Sequence, residues 1–568
     1  MVSKVLFWSG FGVAVRLWQL GMEMRPFFNK GSLWVYPLYA TVGGSFGYWL
    51  QGVESRQYKL LSDRKDALLE KRARAAEQEK AAAARLSRRR LGQATMALPV
   101  LGESIKPKGI VVFSGGSAAN NLVDVFKTVA ERKQCSLSYV IPISDNGGST
   151  SELIRVFGGP GIGDLRSRLV RLIPENGDLE RAAIKTFFNH RLCLDADEAR
   201  HEWLDIVEAR HPLWNNVPSE KKELIRSFLN LLNLEIVKRL RPTSTFNFSS
   251  ASIGNLFLTG ARLFSGSLES AIYLLSSICG VPSNTSVLPA INTNFSHHIS
   301  AGLANGTAIT GQNAISHPSE PTALPDMASK PPDDTEDDDI VEDANLPGSL
   351  PMLRKPNIIF SKAEEEDLPA RIDRIWYINP YGQEIRPPAN PKVVSAIASD
   401  SQAVVYSIGS LYTSIIPSLI LRGVGAAVAA TPAVRHKILI LNSTVDRETG
   451  PSSQPFTALD FVAAIAKAGA ESRARGGADS ITPLEYRKYV THVIHLEGAG
   501  TPAVSRADLA VLGIETVRLY GRRGGGGGGQ GEGFLRYDEN ALTQALEVVI
   551  GGGKDLRGDR SRRNTLDN

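Results

Sequence analysis

The stretch Ile110–Asn121, IVVFSGGSAANN, constrains the fold of this chain most strongly. An apolar, β-branched run stops at Ser114-Gly115-Gly116-Ser117, and Leu122, Val125, Phe126 and Val129 then recur on one helical face. That order reads as a strand, a tight turn and a helix start. Glycine lets the backbone approach a ligand with no Cβ in the way. A helix start offers unpaired N–H groups and the positive end of its dipole, which suits phosphate. The turn lacks both the GxGxxG spacing and the Lys-Ser/Thr of a P-loop. Alone it is equally an ordinary strand-to-helix turn.

The theme recurs down the chain. Leu137–Ile143 runs into Ser144-Asp145-Asn146-Gly147-Gly148-Ser149-Thr150, and a loop at Gly158–Arg166, GGPGIGDLR, follows a short helix. Ser252-Ile253-Gly254-Asn255 opens another helix, and Val404-Val405-Tyr406 ends at Ser407-Ile408-Gly409-Ser410. Further strands are expected at Ile358–Phe360, Ile372–Ile378, Lys437–Leu441, His492–Leu496 and Thr516–Leu519, many separated by helical runs. Such alternation predicts an α/β fold with a doubly wound, mainly parallel sheet. In sheets of this kind ligands bind beyond the carboxyl ends of the strands, where strand order reverses. The loops at Ser114, Ser144 and Ser407 should therefore face one crevice.

The fold is expected to occupy 106–283 and 357–550. Residues 174–245 read as a helical insert with apolar spacing at Leu224, Phe228, Leu231 and Leu232. The stretch 284–356, rich in Asn, Ser, Thr and Pro and then acidic, reads as a disordered insertion. Gly524–Gly529 reads as a flexible loop, and 551–568 as a disordered tail.

Residues 1–60 have a different character. Gly31–Val53 carries no charged side chain and is rimmed by Trp34, Tyr36, Tyr39, Tyr48 and Trp49. A bilayer span needs about 20 mostly apolar residues with aromatics at its edges, so a single membrane span over 31–53 is expected. The alternative is a buried, glycine-rich hairpin or an interfacial helix. Gly43 and Gly47 form a GxxxG, which permits close helix packing. Val5–Leu20 contains Arg16 and reads as amphipathic. Residues 61–105, rich in Ala, Glu, Lys and Arg, read as a charged, solvated helix. This combination resembles the small single-span accessory subunits of fungal respiratory complex I. The resemblance covers about the first ninety residues and carries no catalytic motif. It implies complex I as a partner and the mitochondrial inner membrane as the location. A protein beginning near Met96 would instead be cytoplasmic, and the sequence is compatible both with a true fusion and with two joined reading frames.

Composition narrows the classes. A net charge of +5 over 568 residues is small and local, so no nucleic-acid partner is expected. The cysteines, Cys135, Cys193 and Cys279, are too far apart for a metal or disulfide motif and fit a reducing compartment. No oligomeric state is fixed, and a homo-oligomer is compatible with the sequence.

Asp145 and Asp164 are the acids of the glycine loops. Two carboxylates beside phosphate-binding backbone suit Mg²⁺. The structural alternatives are an Asx turn for Asp145 and a helix N-cap for Asp164. Arg166 and Arg168 could clamp a diphosphate, or Arg168 could pair with Asp164 at i,i+4. Asn255 and Ser410 are either caps or nucleotide contacts. His492 and His495 point to opposite strand faces and so share no metal. His190-Arg191 follows an apolar helix within reach of the crevice.

Together, SGGSAANNLV, SDNGGSTSELI, GPGIGDLRSRLVRL, SIGNLFLTGA and YSIGSLYTSIIPSLI resemble the CofD/YvcK family over residues 108–550. The resemblance implies a Rossmann-like fold with a crevice for a nucleotide diphosphate. CofD-like members transfer a phospholactyl-type group from a guanosine-diphosphate-activated donor to a deazaflavin precursor's hydroxyl, with Mg²⁺. YvcK-like members bind UDP-sugars and act in regulation. The DNGGS and GDLR forms are nearer the YvcK branch. Ser117-Ala118 replaces the Thr-Gly usual in the first loop, which affects the phosphate contact rather than the turn. The implied ligand contacts are Gly115, Gly116, Ser117, Asn120, Asn146, Gly147, Gly148, Ser149, Asn255, Gly409 and Ser410. Asp145 and Asp164 would hold Mg²⁺ on the diphosphate, or Asp145 would instead activate the acceptor hydroxyl, and Arg166 would stabilise the leaving diphosphate.

Overall fold

The computed structural model describes residues 4–28, 31, 33–49, 51–52, 108–116, 118–145, 147–174, 177–240, 245–316, 350, 353, 367–432, 434–473, 481–523 and 535–551. The chain divides into two compact units, Met1–Ser104 and Ile105–Asn568.

Among its described residues the first unit holds a pair of helices, Lys4–Met22 and residues 35–49. They run antiparallel. Gly12 lies against the Tyr39 carbonyl and Gly43 against the Trp8 carbonyl, with no room for a Cβ at either. Trp8 meets Phe46 edge-on at 4.8 Å, and the Tyr39 hydroxyl donates to Gln19 Oε1 at 2.9 Å. Small residues let two backbones approach closely, so Gly43, expected to serve a membrane span, packs one helix on the other. The span expected over 31–53 is not found. Among the described residues no helix is long and apolar enough to cross a membrane. The charged helix expected over 61–105 lies outside the described residues, as do the strand expected at Ile358–Phe360, the glycine run Gly524–Gly529 and residues 552–568.

In the second unit the described strands are, in chain order, β1 Gly109–Phe113, β2 Leu137–Ile141, β3 Thr285–Pro289, β4 His298–Leu303, β5 Ala308–Thr310, β6 Ile372–Ile378, β7 Glu384–Ile385, β8 Ser401–Tyr406, β9 His436–Ile440, β10 His492–Leu496, β11 Glu515–Leu519 and an antiparallel pair, β12 Gly521–Arg523 and β13 Leu535–Tyr537. Seven of them form one sheet in the order β11-β10-β9-β8-β1-β2-β3. Every pairing in it is parallel. This is the doubly wound, Rossmann-like architecture expected. The chain builds outward from β1 through β2 to β3, then returns to β8 and builds the other way. The reversal therefore falls between β1 and β8. Its central strands are apolar without alternation because helices cover both faces. Val112, Phe113, Tyr139, Val140, Val404 and Val405 are fully buried.

Two expectations fail between β3 and β6. Residues 285–316, read as disordered, form β3, β4, β5 and a short helix Gln312–Ser316. β6, expected in the parallel sheet, instead pairs antiparallel with β4 and β7 in a four-stranded sheet of order β5-β4-β6-β7. The polar composition misled because its side chains satisfy one another. The Ser300 hydroxyl donates to the Ile309 carbonyl at 3.0 Å and lies 3.2 Å from the Thr310 hydroxyl. Cross-strand pairs of this kind hold a sheet without apolar bulk. Residues 317–349 lie outside the described residues.

The helical insert is present as Leu179–Asn189, Ala196–Val207 and Ser219–Arg239. Its longest helix buries Ile225, Leu229, Leu232 and Ile236. Leu224 is exposed, so the inward face is rotated by one residue from the expected spacing. Apolar residues lie nearly all round this helix, and packing against Ile253–Ser265 selects the face. There Gly260 sits on the Phe228 carbonyl.

Candidate functional site

The loops that leave β1, β2 and β8 meet at the reversal point. Ser114 N–H still donates to the Val140 carbonyl and Ser407 N–H to the Phe113 carbonyl, so the three strand ends stay in register up to the turns. Gly115 then lies against the Ser414 hydroxyl, and Gly116 against the Asp164 carboxylate. A Cβ at either position would overlap those side chains. The glycines are thus required by close approach, and what approaches is the site's own acid.

Asp164 stands in the first turn of the helix Gly163–Arg171, whose cap position is Ile162. It is not the N-cap. Its carboxylate accepts the Gly116 N–H instead. Asp145, at the end of the β2 loop, accepts the Gly147 N–H at 3.0 Å. This is the Asx turn weighed from the sequence. Its other oxygen faces Gly163 Cα, and Gln312 Nε2 donates to Asp145 Oδ1 at 3.4 Å. Burial and the neighbouring Asp145 charge push the Asp164 carboxyl up to about 7, against the lowering effects of Gly116, Arg168 and Arg166. Burial also raises Asp145. Two carboxylates that repel across a desolvated gap are relieved by a cation. They fit Mg²⁺, which commonly takes one or two carboxylates and completes its shell with phosphate and water. Among the described residues no group of three or more His, Cys, Asp or Glu forms a metal cluster.

Behind the acids lies a buried polar chain. Arg166 Nε donates to Asn255 Oδ1 at 3.3 Å and Nη1 to Asn189 Oδ1 at 3.2 Å. Asn255 Nδ2 donates to the Ser149 hydroxyl at 3.1 Å, which also accepts the Ser252 N–H at 3.3 Å. The expected contacts Ser149 and Asn255 therefore hold Arg166 and the β2 loop together. Gly148 has φ +53° and precedes the helix Ser149–Phe157 with open space at its Cα. Asn120, in the tight turn Ala118–Leu122, donates to the Ser167 hydroxyl at 2.8 Å. Ser117 and Asn146 lie outside the described residues.

Arg168 does not clamp a ligand. It is fully buried, its Nη2 donates to the Gly115 carbonyl at 3.0 Å and the Ser114 hydroxyl at 3.2 Å, and its guanidinium lies 4.5 Å from the Tyr139 ring centre. Nor does it pair with Asp164. It shapes the first glycine loop from beneath.

On the β8 side, Gly409 has φ +132° and exchanges two hydrogen bonds, each 2.9 Å, with the Asn442 side chain. Ser410 precedes a π-helical turn, Leu411–Ile415. Glu448, whose role the sequence did not reveal, is buried beneath that turn. It accepts the Tyr412 N–H at 3.1 Å, the Thr413 N–H at 3.0 Å, the Thr413 hydroxyl at 2.6 Å and the Ser316 hydroxyl at 2.8 Å. Ser410 also donates to it. Beside Gly409 and Ser410 opens a cavity of about 520 Å³, lined in part by Asn442, Thr444, Asp446 and Arg536.

Residues 110–507 match the family model described as 2-phospho-L-lactate transferase CofD. Residues 1–78 match one described as Fungal NDUFC2 subunit. Protein YNL011C of Saccharomyces cerevisiae is 40% identical over 407 residues, which span 68% of this chain and 90% of that protein. Protein BH3568 of Bacillus halodurans, described as a member of the UPF0052 family, has two crystal structures similar to this chain. Each is 19% identical, covers 78% of this chain and 99% of its own, and has a TM-score of 0.47.

Proposed function

Since this chain belongs to the 2-phospho-L-lactate transferase CofD family, we propose that it transfers a phosphorus-containing group from a nucleotide-diphosphate-activated donor to an acceptor hydroxyl, with Mg²⁺. The observation that supports this reading is the meeting of Gly115, Gly116, Asp145 and Asp164 at the sheet's reversal point. There, backbone that admits no Cβ faces a repelling acid pair.

The roles follow from charge. The glycine loop brings main chain within reach of phosphate oxygens. The cavity beside Gly409 and Ser410 has the size and polar lining for a nucleoside. Asp145 and Asp164 would hold Mg²⁺, which when bound neutralises charge on the diphosphate. In the transfer the acceptor oxygen bonds to the distal phosphorus, the bridging P–O bond breaks, and the nucleoside monophosphate leaves with the electron pair. Arg166, buried and hydrogen-bonded by Asn255 and Asn189, is oriented to stabilise the charge that develops. In the alternative, Asp145 takes the acceptor's proton instead of holding the metal. The NDUFC2-like segment, residues 1–78, supports a mitochondrial setting linked to respiratory complex I.

The test is a thermal-shift panel on the full chain with GDP, UDP and UDP-sugars, with and without Mg²⁺. Ligand at a hundredfold excess over Kd should stabilise the native state by about 2.7 kcal/mol, and only with Mg²⁺. Asp164→Asn should abolish turnover. Stabilisation by UDP-sugars with no product from any acceptor would replace the transferase with a non-catalytic UDP-sugar-binding regulator. No stabilisation by any of these ligands would overturn both.

A further inference from the structure

We propose that Gln312 is a positioning residue for the candidate metal site: its side-chain amide fixes the Asp145 carboxylate so that Oδ1 is engaged by the protein and Oδ2 is presented to a cation. The inference deepens the reading above and rests on it for the cation.

The geometry starts from the amide of Gln312. The Ser144 hydroxyl donates to Gln312 Oε1 at 2.9 Å, and Gln312 Nε2 donates to Asp145 Oδ1 at 3.4 Å. A side-chain amide has one end that accepts and one that donates. Ser144 is buried and holds the accepting end, which turns the donating end onto Asp145. One glutamine thus grips two consecutive residues of the β2 loop. Asp145 Oδ1 also accepts the Gly147 N–H at 3.0 Å, so two donors meet on this oxygen. Among the described residues no hydrogen bond reaches Oδ2. That oxygen lies 2.9 Å from where a Cβ on Gly163 would stand, and Gly163 directly precedes Asp164, the second acid. A ligating carboxylate that is hydrogen-bonded from behind keeps its orientation towards a metal.

Gln312 is itself firmly placed. It opens the short helix Gln312–Ser316 directly after β5, so the four-stranded antiparallel sheet carries it and the parallel sheet carries the acids. The Gly311 N–H donates to the Ile299 carbonyl at 2.9 Å, and Ile315 is fully buried. Asn313 Oδ1 stands 3.1 Å from where a Cβ on Gly147 would be, so the helix packs tightly on the β2 loop. At its far end the Ser316 hydroxyl donates to Glu448 Oε1 at 2.8 Å. Side chains mounted on regular elements hold a ligand geometry better than those on loops. The loop that carries Asp145 receives this support from a residue 167 positions away.

The experiment titrates Mn²⁺, a paramagnetic stand-in for Mg²⁺, into the full chain and reads free Mn²⁺ by electron paramagnetic resonance. Wild type is expected to bind. Gln312→Met keeps the length of the side chain and removes its amide, so it should weaken Mn²⁺ binding by about tenfold or more. Asp145→Asn should weaken it at least as much. Ser300→Ala removes the hydroxyl that ties β4 to β5 and leaves the amide of Gln312 in place. It should lower Tm and keep the wild-type Mn²⁺ affinity. Circular dichroism of Gln312→Met should match wild type, since the side chain is only half-buried. Equal affinity in Gln312→Met and wild type overturns the proposal. So does a loss in Ser300→Ala as large as that in Gln312→Met, because Gln312 would then act through packing alone. Failure of the metal reading shows separately, as no Mn²⁺ binding to wild type, and that result overturns this inference with it.

Discussion

The main-chain N–H of Gly116 donates to the carboxylate of Asp164, and the two residues lie so close that a Cβ on Gly116 would overlap that carboxylate. The first glycine loop and the second acid of the site are therefore one unit, although 48 positions separate them in the chain. The Gly116→Ala variant must move either the loop or the acid. Overpacking of this kind costs about 1–3 kcal/mol, so the protein should fold with a lowered Tm. Mg²⁺-dependent nucleotide binding should fall by about tenfold or more, because both groups that define the site are displaced. In Gly116→Ala/Asp164→Gly the steric conflict is gone. The double variant should therefore be more stable than the sum of the single changes requires, as read by denaturant melts.

The Asp164 carboxyl sets a pH dependence with a definite sign. Burial and the Asp145 charge hold it at about 7 in the folded chain, against 3.8 as its ordinary value. Between those values the native state binds a proton that the unfolded state does not. Its contribution to stability therefore falls as pH rises from about 4 to about 7 and is flat above. The ligand-free protein should melt higher at pH 6 than at pH 8. Asp164→Asn, which stays neutral, should lose that part of the slope. An unchanged slope in the variant would place the ionisation elsewhere.

The parallel sheet could be read from sequence because its strands are short apolar runs that end in glycine turns. β1, β2, β8 and β10 lie within a few residues of where the runs Ile110–Phe113, Leu137–Ile143, Ala403–Tyr406 and His492–Leu496 put them. The acids Asp145 and Asp164 could be singled out for the same reason, as charges inside those turns. Arg168 could not be separated from Arg166 by spacing. Both are buried, and their partners distinguish them: Arg168 is held by Tyr139 and the Gly115 carbonyl, far away in sequence. β3, β4 and β5 were hidden because Ser300 and Thr310 look like loop residues until their cross-strand partner is known. The membrane span was suggested by uncharged, aromatic-rich sequence. Within that stretch Gly43 packs on Trp8 and Tyr39 on Gly12, so it pairs with the preceding helix.

Glu448 joins one misread region to one expected contact. Its carboxylate takes the Ser316 hydroxyl from the helix that closes the 285–316 segment, and it takes the Tyr412 and Thr413 amides and the Ser410 hydroxyl from the β8 loop. Nothing in the local sequence signals this, since its partners Tyr412 and Thr413 lie 36 and 35 residues away. Glu448→Ala would leave those buried donors without an acceptor. Each unsatisfied donor costs about 1–3 kcal/mol, partly recovered where water enters, so a large fall in Tm is expected. Glu448→Gln keeps one carbonyl oxygen and adds donors that face other donors. It should destabilise less than Ala while still loosening the Ser410 turn. Ser410, in that turn, lines the cavity of about 520 Å³, so Glu448→Gln should weaken nucleoside-diphosphate binding measured by calorimetry. An unchanged affinity would mean that this wall does not meet the ligand.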